Sequence, residues 1–117
     1  NSKDNSGNFL VGDWNGDGKR DYAVLINYGF ETLNDGKKLP RTVTIAFVSR
    51  SKNLKHFVLD TSGEYIAFEK KGTTSYDYET DSRFKFSNDA IFSGIWEKAG
   101  VSYVWRKDKF IYFVTSD

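Results

Sequence analysis

Ten consecutive residues hold the densest chemistry in this chain. In Gly12-Asp13-Trp14-Asn15-Gly16-Asp17-Gly18-Lys19-Arg20-Asp21, side-chain oxygens recur at near-alternate positions on Asp13, Asn15, Asp17 and Asp21. A hard cation such as calcium takes six to eight oxygens, and a tight loop supplies them when acceptors alternate and a glycine allows the sharp turn between them. Counted from Asp13 as the first loop position, the acceptors fall on positions 1, 3, 5 and 9, and Gly18 falls on position 6. Lys19 stands at position 7, where the ligand is a backbone carbonyl and the side chain points to solvent. Three carboxylates around one divalent ion leave a small negative charge, which Lys19 and Arg20 partly offset. Without an ion the carboxylates repel one another across a turn too tight to separate them. These residues therefore predict one bound Ca2+ that orders the loop. The plainer alternative is a charged Asn-Gly and Asp-Gly turn with no metal.

The loop departs from an EF-hand at its end. Position 12 is Val24 rather than a bidentate glutamate, and the residues after Asp21, Tyr22-Ala-Val-Leu-Ile, read as a strand. An apolar strand, then D-x-[DN]-x-D-G-x-x-D, then a second apolar strand resembles the calcium loop of the FG-GAP or VCBS type of repeat, found in integrin-like propellers and exported bacterial proteins. The resemblance covers about residues 9–26, from Phe9-Leu-Val-Gly through Asp13–Asp21 to Tyr22–Ile26. It implies a structural calcium between the first two strands and an exported setting, whether periplasmic, cell-envelope or secreted. A single copy is present, so a closed propeller does not carry over. A site with three carboxylates and no bidentate glutamate also belongs with the weak sites of extracellular modules, of ~10⁻⁴ to 10⁻³ M, which a cytosol would leave empty.

Other chemistry is sparse. His56 is the only histidine, so a multi-histidine zinc site is excluded, and the lack of cysteine excludes disulfides, thiolate metal sites and thiol nucleophiles. Residues 75–82, with Tyr76, Asp77, Tyr78, Glu79 and Asp81, read either as a solvated loop or as a recognition loop. In the second reading the tyrosines supply rigid contact area and the acids complement a basic partner. Trp96, Tyr103 and Trp105 read as core aromatics or, if exposed, as a stacking platform for sugar rings. The formal net charge of +1 favours neither nucleic acid nor an anionic membrane surface, and no apolar run approaches a membrane span. No methionine occurs even at position 1, which reads as a processed or trimmed product whose leader could have carried a targeting signal.

These observations point to a small exported calcium-binding module that recognises a protein or carbohydrate partner. The runner-up is a periplasmic inhibitor or immunity protein that plugs a secreted enzyme through its acidic loop. A hydrolytic enzyme using Asp21, His56 or the acids of 77–81 is the third class; no catalytic residue is assigned.

The elements that must position the loop are strands. Aromatic residues make up 17% of the chain and fall, with β-branched residues, in short runs bounded by Gly, Asn, Asp and Ser. Nine strands are expected, over 9–12, 22–28, 42–49, 56–60, 65–69, 83–86, 90–97, 101–106 and 110–115. Short links such as Asn34-Asp35-Gly36 and Lys107-Asp108 give an antiparallel meander. The expected fold is all-β: a single domain over 9–117, as a small sheet, sandwich or barrel-like meander, after a flexible lead-in at 1–8. Val43, Ile45 and Phe47 give the third strand one strongly apolar face. Phe110–Val114, apolar on both faces, is expected to be central. Segment 88–99 also matches a helical stripe, with Gly94 and its β-branched content favouring strand.

Overall fold

The computed structural model describes residues 6–95 and 99–116, and among them there is no helix. The fold is all-β and antiparallel, with no closed barrel. Strands β2 (Phe9–Gly12), β3 (Asp21–Thr32), β4 (Lys38–Arg50) and β5 (Asn53–Asp60) form a four-stranded meander in chain order. A five-stranded sheet is made by β1 (Ser6–Gly7), β6 (Tyr65–Glu69), β9 (Ala90–Gly94), β10 (Gly100–Arg106) and β11 (Lys109–Ser116), in that spatial order. Strands β7 (Thr74–Asp77) and β8 (Ser82–Lys85) pair only with each other.

The run from Ser6 to Gly12 belongs to both sheets. Ser6 and Gly7 pair with Ala67 and Ile66 of β6, and Phe9 to Gly12 then pair with Val24 to Asp21 of β3. Between the sheets lies a core of Leu10, Trp14, Leu25, Val48, Ile66 and Ile91, completed by Tyr103 and the half-buried Phe57, Phe68 and Trp105. Trp14 is fully buried although it sits inside the polar loop. Burying a side chain of that size contributes about 3 kcal/mol before its ordering entropy is set against it. The indole lies over Gly12, where an added Cβ would meet its ring at 2.6 Å, so only glycine fits beneath it.

The strand pattern of the sequence reappears with particular differences. β4 turns Thr42, Thr44, Ala46 and Val48 to the core, whereas Val43, Ile45 and Phe47 face outward and are half-buried. Of these inward residues, Ala46 and Val48 join Trp14 and Ile91 in the core cluster. Thr44 Oγ1 is buried there with no hydrogen-bond partner.

β11 is an edge strand, not a central one. Its two apolar faces arise because Phe110 packs toward Phe57 while Ile111 and Phe113 meet the β7–β8 hairpin. Phe84 and Phe86 of that hairpin region cover Ala90, Val104, Ile111 and Phe113 on the outside of the five-stranded sheet. Residues 75–82, read as a loop, are mostly this hairpin, with Asp77 paired to Ser82. Segment 88–99 is strand over Ala90–Gly94; Trp96 and the expected strand end at Glu97 lie outside the described residues, as does most of the 1–8 lead-in.

Candidate functional site

The Asp13–Asp21 turn links β2 to β3 and is drawn together by its own carboxylates. Asp13 Oδ1 accepts the Gly16 and Asp17 backbone N–H groups at 2.9 and 3.1 Å, and its Oδ2 accepts that of Gly18 at 2.8 Å. Gly18, at φ +82°, takes the left-handed backbone that this tight fold-back needs. Asp17 Oδ1 accepts the Lys19 N–H at 2.9 Å, and Asn15 Oδ1 accepts the Asp17 N–H at 3.3 Å. The Asn15 amide donates to the Ser49 carbonyl at 3.0 Å and to Asp17 Oδ2 at 3.3 Å.

Asp21 anchors the loop to the sheet. Its carboxylate has no solvent exposure, accepting Trp14 N–H on Oδ2 at 2.8 Å and both Ser49 N–H and Ser49 O–H on Oδ1, at 2.8 and 2.7 Å. Carboxylate oxygens of Asp13, Asp17 and Asp21 all lie within 4.8 Å of one another. Among the described residues none of the three is in an ion pair. The Lys19 ammonium turns aside to the Ser51 carbonyl at 3.1 Å. Three converging carboxylates, one of them buried and none neutralised by a side chain, form a donor set suited to a hard divalent cation. Each oxygen carries two lone-pair sites, so the loop hydrogen bonds leave acceptor capacity on every carboxylate.

Two residues outside the motif support the loop. Asp89 accepts Asp13 N–H on one oxygen and Lys71 N–H on the other, both at 3.0 Å, tying the loop to the start of β9 and the turn after β6. The Asn88 side chain lies so close to Gly16 that a Cβ there would meet its oxygen at 2.5 Å. The polar pair Asn88-Asp89 stands in the sequence only as the start of segment 88–99, with nothing to tie it to the acidic loop. Ser49, the partner of Asp21, carried no signal at all.

The second set of singled-out residues lies elsewhere. Asp77 is buried, and its carboxylate closes the β7–β8 turn by accepting Glu79 N–H at 3.0 Å and Thr80 O–H at 2.9 Å. Tyr76 is half-buried and meets Tyr78 edge to face at 4.8 Å. Tyr78, Glu79 and Asp81 are exposed at the tip. Tyr103 and Trp105 face the core; Trp105 packs edge to face on Phe57 and Phe110, each at 5.2 Å. His56 is exposed, opposite Phe47 on the outer side of its sheet, whereas Asp21 points to the inner side.

A third polar group sits at the far end of the sandwich. Asp60 accepts Ser62 N–H and O–H on one oxygen and Ser93 O–H on the other at 2.9 Å, with the Tyr103 hydroxyl at 3.4 Å. Burial opposes ionisation of Asp60, but these four donors outweigh it and hold the carboxyl below its ordinary range. Burial, followed by the Asp60 charge, pushes the Tyr103 phenol well up. With the acid shifted down and the phenol shifted up, the two move away from the neutral range in which proton transfer is efficient, as suits a structural pair. Next to it a cleft of about 600 Å3 runs between the projecting part of the β3–β4 hairpin, at Tyr28, Leu39 and Arg41, and the turn at Thr61–Glu64.

Comparison with known proteins finds no family model, no curated protein and no solved structure that matches the chain.

Proposed function

We propose that this chain is a small exported binding module whose Asp13–Asp21 loop holds one structural calcium ion. The observation that carries the reading is the convergence of Asp13, Asp17 and Asp21 within 4.8 Å with no cationic side chain among them. Asp13, Asp17 and Asp21 would supply carboxylate oxygens, Asn15 its amide oxygen and Lys19 its carbonyl. The ion would supply positive charge alone, locking the β2–β3 turn that Asp21 and Asp89 fasten to both sheets. The resemblance of residues 9–26 to the FG-GAP or VCBS loop supports the same assignment and the exported setting. Recognition of a protein or carbohydrate partner falls to surfaces away from the ion, with Tyr78, Glu79 and Asp81 the exposed candidates at the β7–β8 tip.

The test is a thermal melt of chelator-treated protein with and without millimolar calcium, with magnesium as control. Magnesium demands a near-ideal octahedron and dehydrates reluctantly, so it should substitute poorly. A ligand that binds only the folded state raises its melting temperature. The expected result is a calcium-specific rise that Asp17→Ala abolishes. No rise at any accessible concentration would make the loop a metal-free charged turn.

A further inference from the structure

We propose that the outer face of the four-stranded sheet is the site at which two copies of this chain pack, sheet on sheet, as a symmetric dimer. An antiparallel sheet with one face on a core ordinarily turns polar residues to water on the other. This sheet reverses the rule, since β4 sends Thr42, Thr44 and Ala46 inward and Val43, Ile45 and Phe47 outward.

The register aligns those outward residues with their neighbours. Phe9, Val24, Ile45 and Val58 form one row across all four strands, and parallel rows on either side include Val11 and Ile26. Phe9 and Val58, at the two ends of the row, are 60% and 59% exposed. The rows contain no Asp, Glu, Lys or Arg; His56 and the phenol of Tyr22 are their two ionisable members. The five-stranded sheet has the same need on its outer side and meets it with Phe84 and Phe86 of the β7–β8 region. Nothing among the described residues does this for the four-stranded sheet.

The chemistry of the face selects its occupant. It has no charge with which to read a charged partner and, being a pleated sheet, no groove to seat a helix. It fits another flat apolar sheet face packed about 10 Å away, at the modest angle that sheet twist sets. A second copy presents such a face, and a two-fold axis near the Val24–Ile45 pair would set each residue against the other's counterpart. Four strands at about 4.8 Å spacing and five residues at about 3.3 Å rise give a footprint of ~320 Å2. With side-chain relief and the rim, two copies would bury on the order of 1,000 Å2, the lower bound for a specific interface. The dimer is therefore expected to dissociate in the micromolar range.

The experiment is sedimentation velocity on the full chain in millimolar calcium, from about 1 to 500 μM, which brackets that range. The expected result is a mass that rises with concentration from one chain to two. Val58→Lys, at an exposed edge position, should hold the protein monomeric throughout, a loss of at least 100-fold, with its melt and circular dichroism unchanged. If Val58→Lys does not fold, Val58→Thr keeps the β-branched shape and should weaken the dimer several-fold. Isotope-filtered NOEs between labelled and unlabelled copies should connect the methyl groups of Val24 and Ile45. A wild-type monomer at every concentration overturns the proposal, whether or not the face then binds phosphatidylcholine vesicles. So does a dimer that survives Val58→Lys in a folded protein, or NOEs confined to the β5 or β11 edges.

Discussion

Replacing Asp21 by alanine should be far more damaging than replacing Asp17, although both belong to the same acidic loop. Asp21 is wholly buried and receives three donors: Trp14 N–H, Ser49 N–H and Ser49 O–H. Alanine leaves all three without a partner in a space closed to water. At roughly 1–2 kcal/mol for each orphaned donor, less the relief of removing a buried charge, the loss is about 3–4 kcal/mol. That is a large share of a domain stability of about 5–15 kcal/mol, and for a chain of this size it lowers Tm by roughly 10–15 °C. Asp17 is exposed and gives up only the Lys19 N–H and a long Asn15 contact, about 0.5 kcal/mol. The assay is urea unfolding followed by tryptophan fluorescence in chelator, so that no metal contributes to either variant. Calcium at ten times its dissociation constant should then add about 1.4 kcal/mol to the wild type and nothing to either variant. An Asp21→Ala protein within 1 kcal/mol of wild type in chelator would refute the view that Asp21 anchors the loop with or without an ion.

Glu69 offers a pH test. Burial raises its carboxyl above the ordinary value of 4.5, outweighing the bond from the Ser102 hydroxyl. A raised folded-state value means that the associated stability is complete below pH 4.5 and is lost as pH rises through the folded value. Glu69→Gln keeps an acceptor for Ser102, so it should raise Tm at pH 7, with the gain fading below about pH 4.5 in melts across a pH series. Thr44→Val should stabilise by about 1 kcal/mol in denaturant unfolding, because the hydroxyl it removes is buried with no partner and the shape is kept.

What could be read from the sequence was what local chemistry decides. β2 and β6 lie where their β-branched and aromatic residues placed them, and the acceptor spacing of Asp13, Asn15, Asp17 and Asp21 needed only the one-dimensional pattern. What could not be read was whatever a second element supplies. The period of β4 distinguishes its two faces, but which one meets the core depends on partners from other elements, Trp14 and Ile91, which share a cluster with Ala46 and Val48. β11 looks central because both of its faces are apolar, and the outer one is covered by Phe84 and Phe86, more than twenty residues earlier, on a strand that the sequence shows at 83–86 but whose hairpin partner reads as polar loop. Ser49 and Asp89, which fasten the acidic loop, lie 28 and 76 residues from their partners, beyond the reach of any spacing rule.

The run Ser6–Gly12, which leaves one sheet to enter the other, also dictates when the molecule can become whole. It emerges before the rest of the described chain during synthesis, yet its β6 partners at Ile66 and Ala67 follow roughly 60 residues later. The β2–β3–β4–β5 meander can assemble from neighbours in the meantime, but the five-stranded sheet is not complete until that long loop closes. Such a separation predicts folding on the slow side for a domain of this size, limited by one late encounter. Until it happens, the nascent meander has both of its faces open, and a chaperone rather than calcium would be its first partner.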